Sequence, residues 1–174
     1  KKDSKMMMDY LIELGHRKIL YLSQEIDDDG AIEKEKIEVY KESMASIDEE
    51  PILIQINNHG IDGGYKIGRD ILKLKEEMGV TAVFCCQDEL AIGLMNYFYD
   101  NDINVPDDIS VSGYGDINVA SIYRPTLTTI KEPFYDLGAI SIRRMLKKLI
   151  GEPIDEDKIV LPIRLIKRES CKKN

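Results

Sequence analysis

The sequence predicts an α/β domain with a doubly wound, mainly parallel sheet flanked by helices. Three observations carry this. Short apolar runs of strand length recur along the chain, segments with helical spacing separate them, and polar turns rich in Gly, Asn, Asp and Pro mark the joints. The chain has 174 residues, enough for one domain with a real core. It is 43% hydrophobic and 32% charged, which excludes the disordered and membrane classes. No apolar run approaches the roughly 18–20 residues that span a bilayer.

The elements follow in order. Residues 5–14 place Met7, Leu11 and Leu14 at helical spacing, and Gly15 ends the helix. Lys18 to Leu22 reads as a short buried strand, followed by the acidic loop Ser23 to Gly30. Residues 31–46 return to helical spacing through Ile32, Val39, Tyr40 and Met44. Pro51 to Ile56 forms a second strand, and residues 63–78 a helix with Ile67, Ile71, Leu74 and Met78 inward. Thr81 to Cys85 is a third strand. Asp88 then stands as an N-cap for a helix using Leu90, Ala91, Leu94, Met95 and Phe98. Ile109 to Gly113 is a fourth strand and Leu127 to Ile130 a fifth. Residues 133–150 form a long helix with Phe134, Leu137, Ile140, Met145 and Leu149 on its stripe and Pro133 in its first turn. The closing "KIVLPIRLIKRES" is expected as a strand pair interrupted by Pro162, which suits an edge.

Charge and residue types restrict the chemistry. A formal net charge of −8 argues against this chain gripping nucleic acid by itself. The Lys167, Arg168, Lys172 and Lys173 cluster reads as a solvated end. Cys85, Cys86 and Cys171 lack paired spacing and read as reduced, buried thiols of a cytoplasmic protein. His16 is expected as a cap or at the surface, and His59 in a solvated turn. No Cys/His zinc spacing, nucleophile elbow or phosphate loop is present, so no enzyme, metal or cofactor is expected. Asp27, Asp28 and Asp29 read as a solvated acidic loop.

Ligands of open parallel sheets collect at the carboxyl ends of the strands, near the switch in strand order. Those ends are Ser23-Gln24, Asn57-Asn58-His59, Cys86-Gln87-Asp88 and Tyr114-Gly115-Asp116. Amides and acids there suit sugar hydroxyls, and Tyr114 suits stacking against an apolar ring face. Asp88 is either an N-cap or a site residue, and Asp116 either a turn cap or a ligand-side acid.

The segments "YLIELGHRKILYLS", "TAVFCCQDELAIG", "NVPDDISVSGYGDINVASIYRPTLTTIKEPFYDLG" and "VLPIRLIKRES" resemble the lactose/galactose repressor (LacI/GalR) family in order along nearly the whole chain. The resemblance implies one lobe of a two-lobe, periplasmic-binding-protein-like core. Residues 1–174 would be the C-terminal lobe, with 1–15 and 133–150 as helices that belong with a missing N-terminal lobe. The abrupt opening without Met reads as an excised fragment, and the DNA-binding domain would lie outside it. The implied function is the ligand-sensing and dimerisation domain of a cytoplasmic, sugar-responsive transcription regulator. Its partners would be a small effector, a second copy, and operator DNA only through the N-terminal domain. An exported sugar-binding protein of a transporter is the alternative. The resemblance implies effector-binding roles for Gln87, Asp88, Tyr114, Asp116 and Lys36, and dimer contacts at Leu94, Met95, Phe98, Ile122 and Tyr123. Gly115 stands where the family often has an acid that binds an effector hydroxyl.

Overall fold

The computed structural model describes residues 2–25, 30–153 and 159–174. The chain alternates helix and strand: α1 (Lys2–Glu13), β1 (Ile19–Gln24), α2 (Ala31–Ala45), β2 (Ile52–Ile56), α3 (Gly60–Met78), β3 (Ala82–Cys85), α4 (Asp88–Asp100), β4 (Ser110–Gly115), β5 (Thr128–Lys131), α5 (Phe134–Leu149) and β6 (Arg164–Ile166). A short 3-10 turn, Asn118–Ser121, lies between β4 and β5. The six strands form one sheet in the order β2-β1-β3-β4-β5-β6. Pairing is parallel from β2 through to β5, and only β6 runs antiparallel, on β5. The strand order reverses between β1 and β3, which places the switch point at the carboxyl ends of those two strands.

The sheet is covered on both faces, so its central strands are apolar or small throughout rather than alternating. Every residue of β3 and β4 is buried. Helices α1 and α2 pack together, as do α3 and α4. Tyr40 fastens α2 to the sheet: its hydroxyl donates to the Ile19 carbonyl at 2.8 Å and accepts from the Ile52 N–H at 2.6 Å. From the expected stripe of α3, Ile71 is fully buried while Met78 is 44% exposed, because the helix runs past the edge of its cover.

The first helix finds its cover within the described fold. Met7, Met8 and Leu11 are fully buried, and α1 packs on α2 and on β5 and β6. Helix α5 differs: it buries no residue, and Phe134, Leu137, Met145 and Leu149 of its stripe are all exposed.

The basic carboxyl-terminal segment is sewn into the fold rather than simply solvated. Ser170 is fully buried, donates from its hydroxyl to the Val111 carbonyl at 2.5 Å and accepts from the Thr128 N–H at 2.9 Å. The terminal Asn174 N–H reaches the Leu14 carbonyl. Within the expected closing strand pair only Arg164–Ile166 is a strand; residues 154–158, like the acidic run Asp27 to Asp29, lie outside the described residues.

His16 belongs to this seam and is buried, not solvated. Its Nε2 faces the Lys172 carbonyl at 3.1 Å, which only accepts, so Nε2 carries the proton and Nδ1 takes the Thr81 hydroxyl at 2.9 Å. Burial lowers the imidazole pKa, partly offset by the Lys172 carbonyl.

Candidate functional site

A cleft of about 610 Å³ opens at the carboxyl ends of β1, β3 and β4. Three groups build its wall. The first is an amide pair. Gln24, the last residue of β1, donates from Nε2 to Oε1 of Gln87 at 3.2 Å, and Gln87 returns the bond at 3.3 Å. The second is a charged seat on α2. Glu33 accepts from the Tyr21 and Ser23 hydroxyls at 2.8 and 2.7 Å and pairs with the Lys36 ammonium at 3.5 Å. The third is Tyr114 at the end of β4, with the Lys36 ammonium 3.8 Å from its ring centroid. Such a contact favours the cation at the ring face.

The sequence-derived residues separate accordingly. Gln87, Lys36 and Tyr114 meet in the cleft. The ring face of Tyr114 that suited stacking is occupied by Lys36, and the ring is 7% exposed. Asp88 does not line the cleft, nor is it an N-cap. The N-cap position is Gln87, without a side-chain cap bond, and Asp88 is fully buried. Its carboxylate accepts from the Thr129 hydroxyl at 2.6 Å and the Ile117 N–H at 2.9 Å, tying α4 to β5 and to the turn after β4. Burial raises its pKa, and these bonds oppose the rise.

Asp116 also turns away from the cleft. It adopts φ +56° and holds Lys131 at 2.8 Å and Arg168 at 2.5 Å. Burial alone would raise its pKa; the hydrogen bonds and charges of those two partners bring it below the usual carboxylate value.

The backbone explains the glycines. A Cβ on Gly113 would fall on the Asp88 carboxylate, so Gly113 supplies the space that this acid occupies. Gly115 has φ +131°, a conformation that L residues rarely adopt. An acid at 115 would be strained in this backbone, and neither 115 nor 116 offers the cleft a carboxylate. Among the described residues, the carboxylates that line it are Glu25, Glu33, Glu89 and Glu132, of which Glu132 accepts a long bond, 3.5 Å, from the Tyr114 hydroxyl.

Sequence reasoning placed Gln24 at a strand end without giving it a role, and it missed Glu33 and Glu132. The spacing of Glu33 and Lys36, one helical turn apart, was the available signal for the first. His59 stands exposed at the N-cap position of α3 and borders the cleft. Cys85, Cys86 and Cys171 are free and buried, and burial pushes the Cys86 thiol up to about 12. Among the described residues, no cluster of His, Cys, Asp or Glu is placed to hold a metal ion.

Of the expected dimer contacts, Leu94, Met95 and Phe98 are buried, because that face of α4 packs into the core. Ile122 is 70% exposed, and Tyr123 is half-buried with its hydroxyl donating to Asn96. Met95 nevertheless borders a shallow hollow with Tyr99, Ile103, Val105, Arg124 and Pro125.

Comparison with known proteins settles the family. Residues 8–171 match the model of a periplasmic binding protein-like domain. The transcriptional regulator RegA of Clostridium saccharobutylicum is 33% identical over 92% of this chain and 48% of its own length. The chain belongs to the periplasmic binding protein-like domains of the LacI/GalR family. This LacI-type domain superimposes on a LacI family transcriptional regulator from Enterococcus faecium with bound ribose, at TM-score 0.85 and 27% identity, over 99% of this chain and 63% of that one. A dimeric Lac repressor matches at TM-score 0.85 and 26% identity, over 99% of this chain and 62% of that one. The domain spans about half the length of the curated relatives it matches, and those relatives are regulators rather than enzymes.

Proposed function

We propose that the chain is the effector-sensing lobe of a sugar-responsive bacterial transcription regulator. The observation that carries this is the convergence of Gln24, Gln87, Lys36 and Tyr114 on one cleft at the switch point of a parallel sheet. Groups of this kind donate to and accept from hydroxyls without needing a charge on the ligand. The bound ribose of the Enterococcus faecium relative supports a sugar as the effector. The names of the relatives favour a cytoplasmic regulator over the sugar-binding protein of a transporter.

In this reading the exposed stripe of α5 is covered by a second lobe, which also closes the other side of the cleft. Effector binding favours one arrangement of the two lobes over another, a population shift that requires unequal affinity for the two states. Ile122, Tyr123 and the hollow beside Met95 meet a second copy, and the dimer sets the separation of two DNA-binding heads on the operator.

Calorimetry of the full-length protein against uncharged monosaccharides tests the reading. We expect saturable binding of at least one sugar. Gln87→Ala should weaken it about tenfold, the worth of one hydrogen bond lost from the part-buried amide pair. Silence across neutral sugars, with tight binding of a different class of compound, would contradict it.

A further inference from the structure

The amide pair carries more than a generic hydrogen-bonding role. Gln24 and Gln87 come from the two strands that flank the switch point, and their amides bond reciprocally, at 3.2 and 3.3 Å. A primary amide has two N–H donors and a carbonyl with two lone pairs. A reciprocal pair consumes one donor and one lone pair from each residue. On each edge of the pair, the spare N–H of one glutamine therefore lies beside the spare lone pair of the other. Rotating both amides by half a turn regenerates the same pattern, so the argument does not depend on which terminal atom is nitrogen. A donor beside an acceptor matches two adjacent hydroxyls, because each hydroxyl both donates and accepts.

The charges around the pair point the same way. Among the described lining residues, the carboxylates of Glu25, Glu33, Glu89 and Glu132 face the one ammonium of Lys36. That ammonium is already engaged by Glu33 at 3.5 Å and by the Tyr114 ring at 3.8 Å. A phosphate or carboxylate entering this wall would meet like charge and no unengaged lysine or arginine, and like charges at close range are repulsive.

We infer that the Gln24–Gln87 pair is the specificity-determining element of the cleft, and that it selects an uncharged ligand with adjacent hydroxyls, a free sugar or polyol, over the phosphorylated form of the same compound. The inference rests on the effector-binding reading above and goes beyond it in naming the residues that discriminate and the class they reject.

The test is a paired titration of the full-length protein with ribose, glucose and fructose, each beside its phosphate ester. The wild type should bind the best neutral sugar at least tenfold more tightly than its ester. Gln24→Leu breaks the pair and should weaken that sugar by about tenfold, since the part-buried Gln87 amide loses the partner that orients it. Gln24→Asn shortens the side chain, breaks the same reciprocity with less change in shape, and should weaken binding likewise. Thermal melts of both variants check folding. A preference for the esters would overturn the inference. So would binding unchanged within twofold in both variants, and that result would leave the effector-binding reading standing. Absence of binding by every sugar and every ester would remove both.

Discussion

Gly64→Ala and Gly93→Ala are each expected to destabilise the domain by about 3 kcal/mol or more, at the upper end of overpacking costs. Helices α3 and α4 cross with backbone against backbone. A Cβ on Gly64 would land on the Leu90 carbonyl, and one on Gly93 on the Ile61 carbonyl. Neither obstacle is a side chain that can swing aside, so the helices must separate. Separation would lift Leu90 and Leu94, both fully buried, from their packing. With total stability of domains at about 5–15 kcal/mol, such a loss is a large share. Gly138→Ala is the control. It lies on exposed α5 with nothing within reach of a new Cβ, and helix propensity predicts a gain of up to about 1 kcal/mol. Urea unfolding followed by circular dichroism checks both sides. A Gly64→Ala protein within about 1 kcal/mol of wild type, less than any overpacking cost expected here, would show that the helices do not meet as described.

Asp88→Ala is expected to cost about 2–4 kcal/mol, because it leaves one buried and one part-buried donor without their acceptor, at about 1–2 kcal/mol each. These are the Ile117 N–H and the Thr129 hydroxyl, and the acid that serves them is fully buried. The variant should also weaken effector binding without touching the ligand. Asp88 holds the turn that carries Gly115 and Ile117 into the cleft wall. Asp88→Asn keeps an acceptor for one of the two donors and should recover part of the stability. Gly113→Ala should imitate Asp88→Ala by expelling the carboxylate from its space. Equal stability of Asp88→Ala and wild type in the same urea assay would contradict the assignment.

The parallel sheet was legible because its signal is local. Runs such as "ILYL" and "AVFC" are apolar throughout, as strands covered on both faces must be, and their parallel direction follows from the helices between them. The parallel strands form where those runs predict, and only the closing segment differs. There the deciding bonds are distant: Ser170 bonds Val111 across 59 residues, and no local pattern announces it. The same distinction divides the site. Gln87 and Tyr114 were placed by strand ends, and Lys36 by the family resemblance alone. Asp88 was misread as a cap because an acid at a helix start has a local explanation, while its actual partners lie 29 and 41 residues away. Gln24 lacked a role for a like reason, since its partner is 63 residues distant. Asp116 looked inward in the motif, but Arg168, 52 residues on, turns it outward.

The central claim is that an uncharged sugar binds where β1, β3 and β4 end. Nuclear magnetic resonance of the isotope-labelled protein, titrated with the neutral sugar that binds best in calorimetry, tests it most directly. The account predicts saturable shifts concentrated on the side-chain amides of Gln24 and Gln87 and on the backbone amides of Gly115 and Ile117, with the hollow between Met95 and Arg124 unmoved. Shifts concentrated at that hollow, with the two glutamine amides unchanged at saturation, would contradict it.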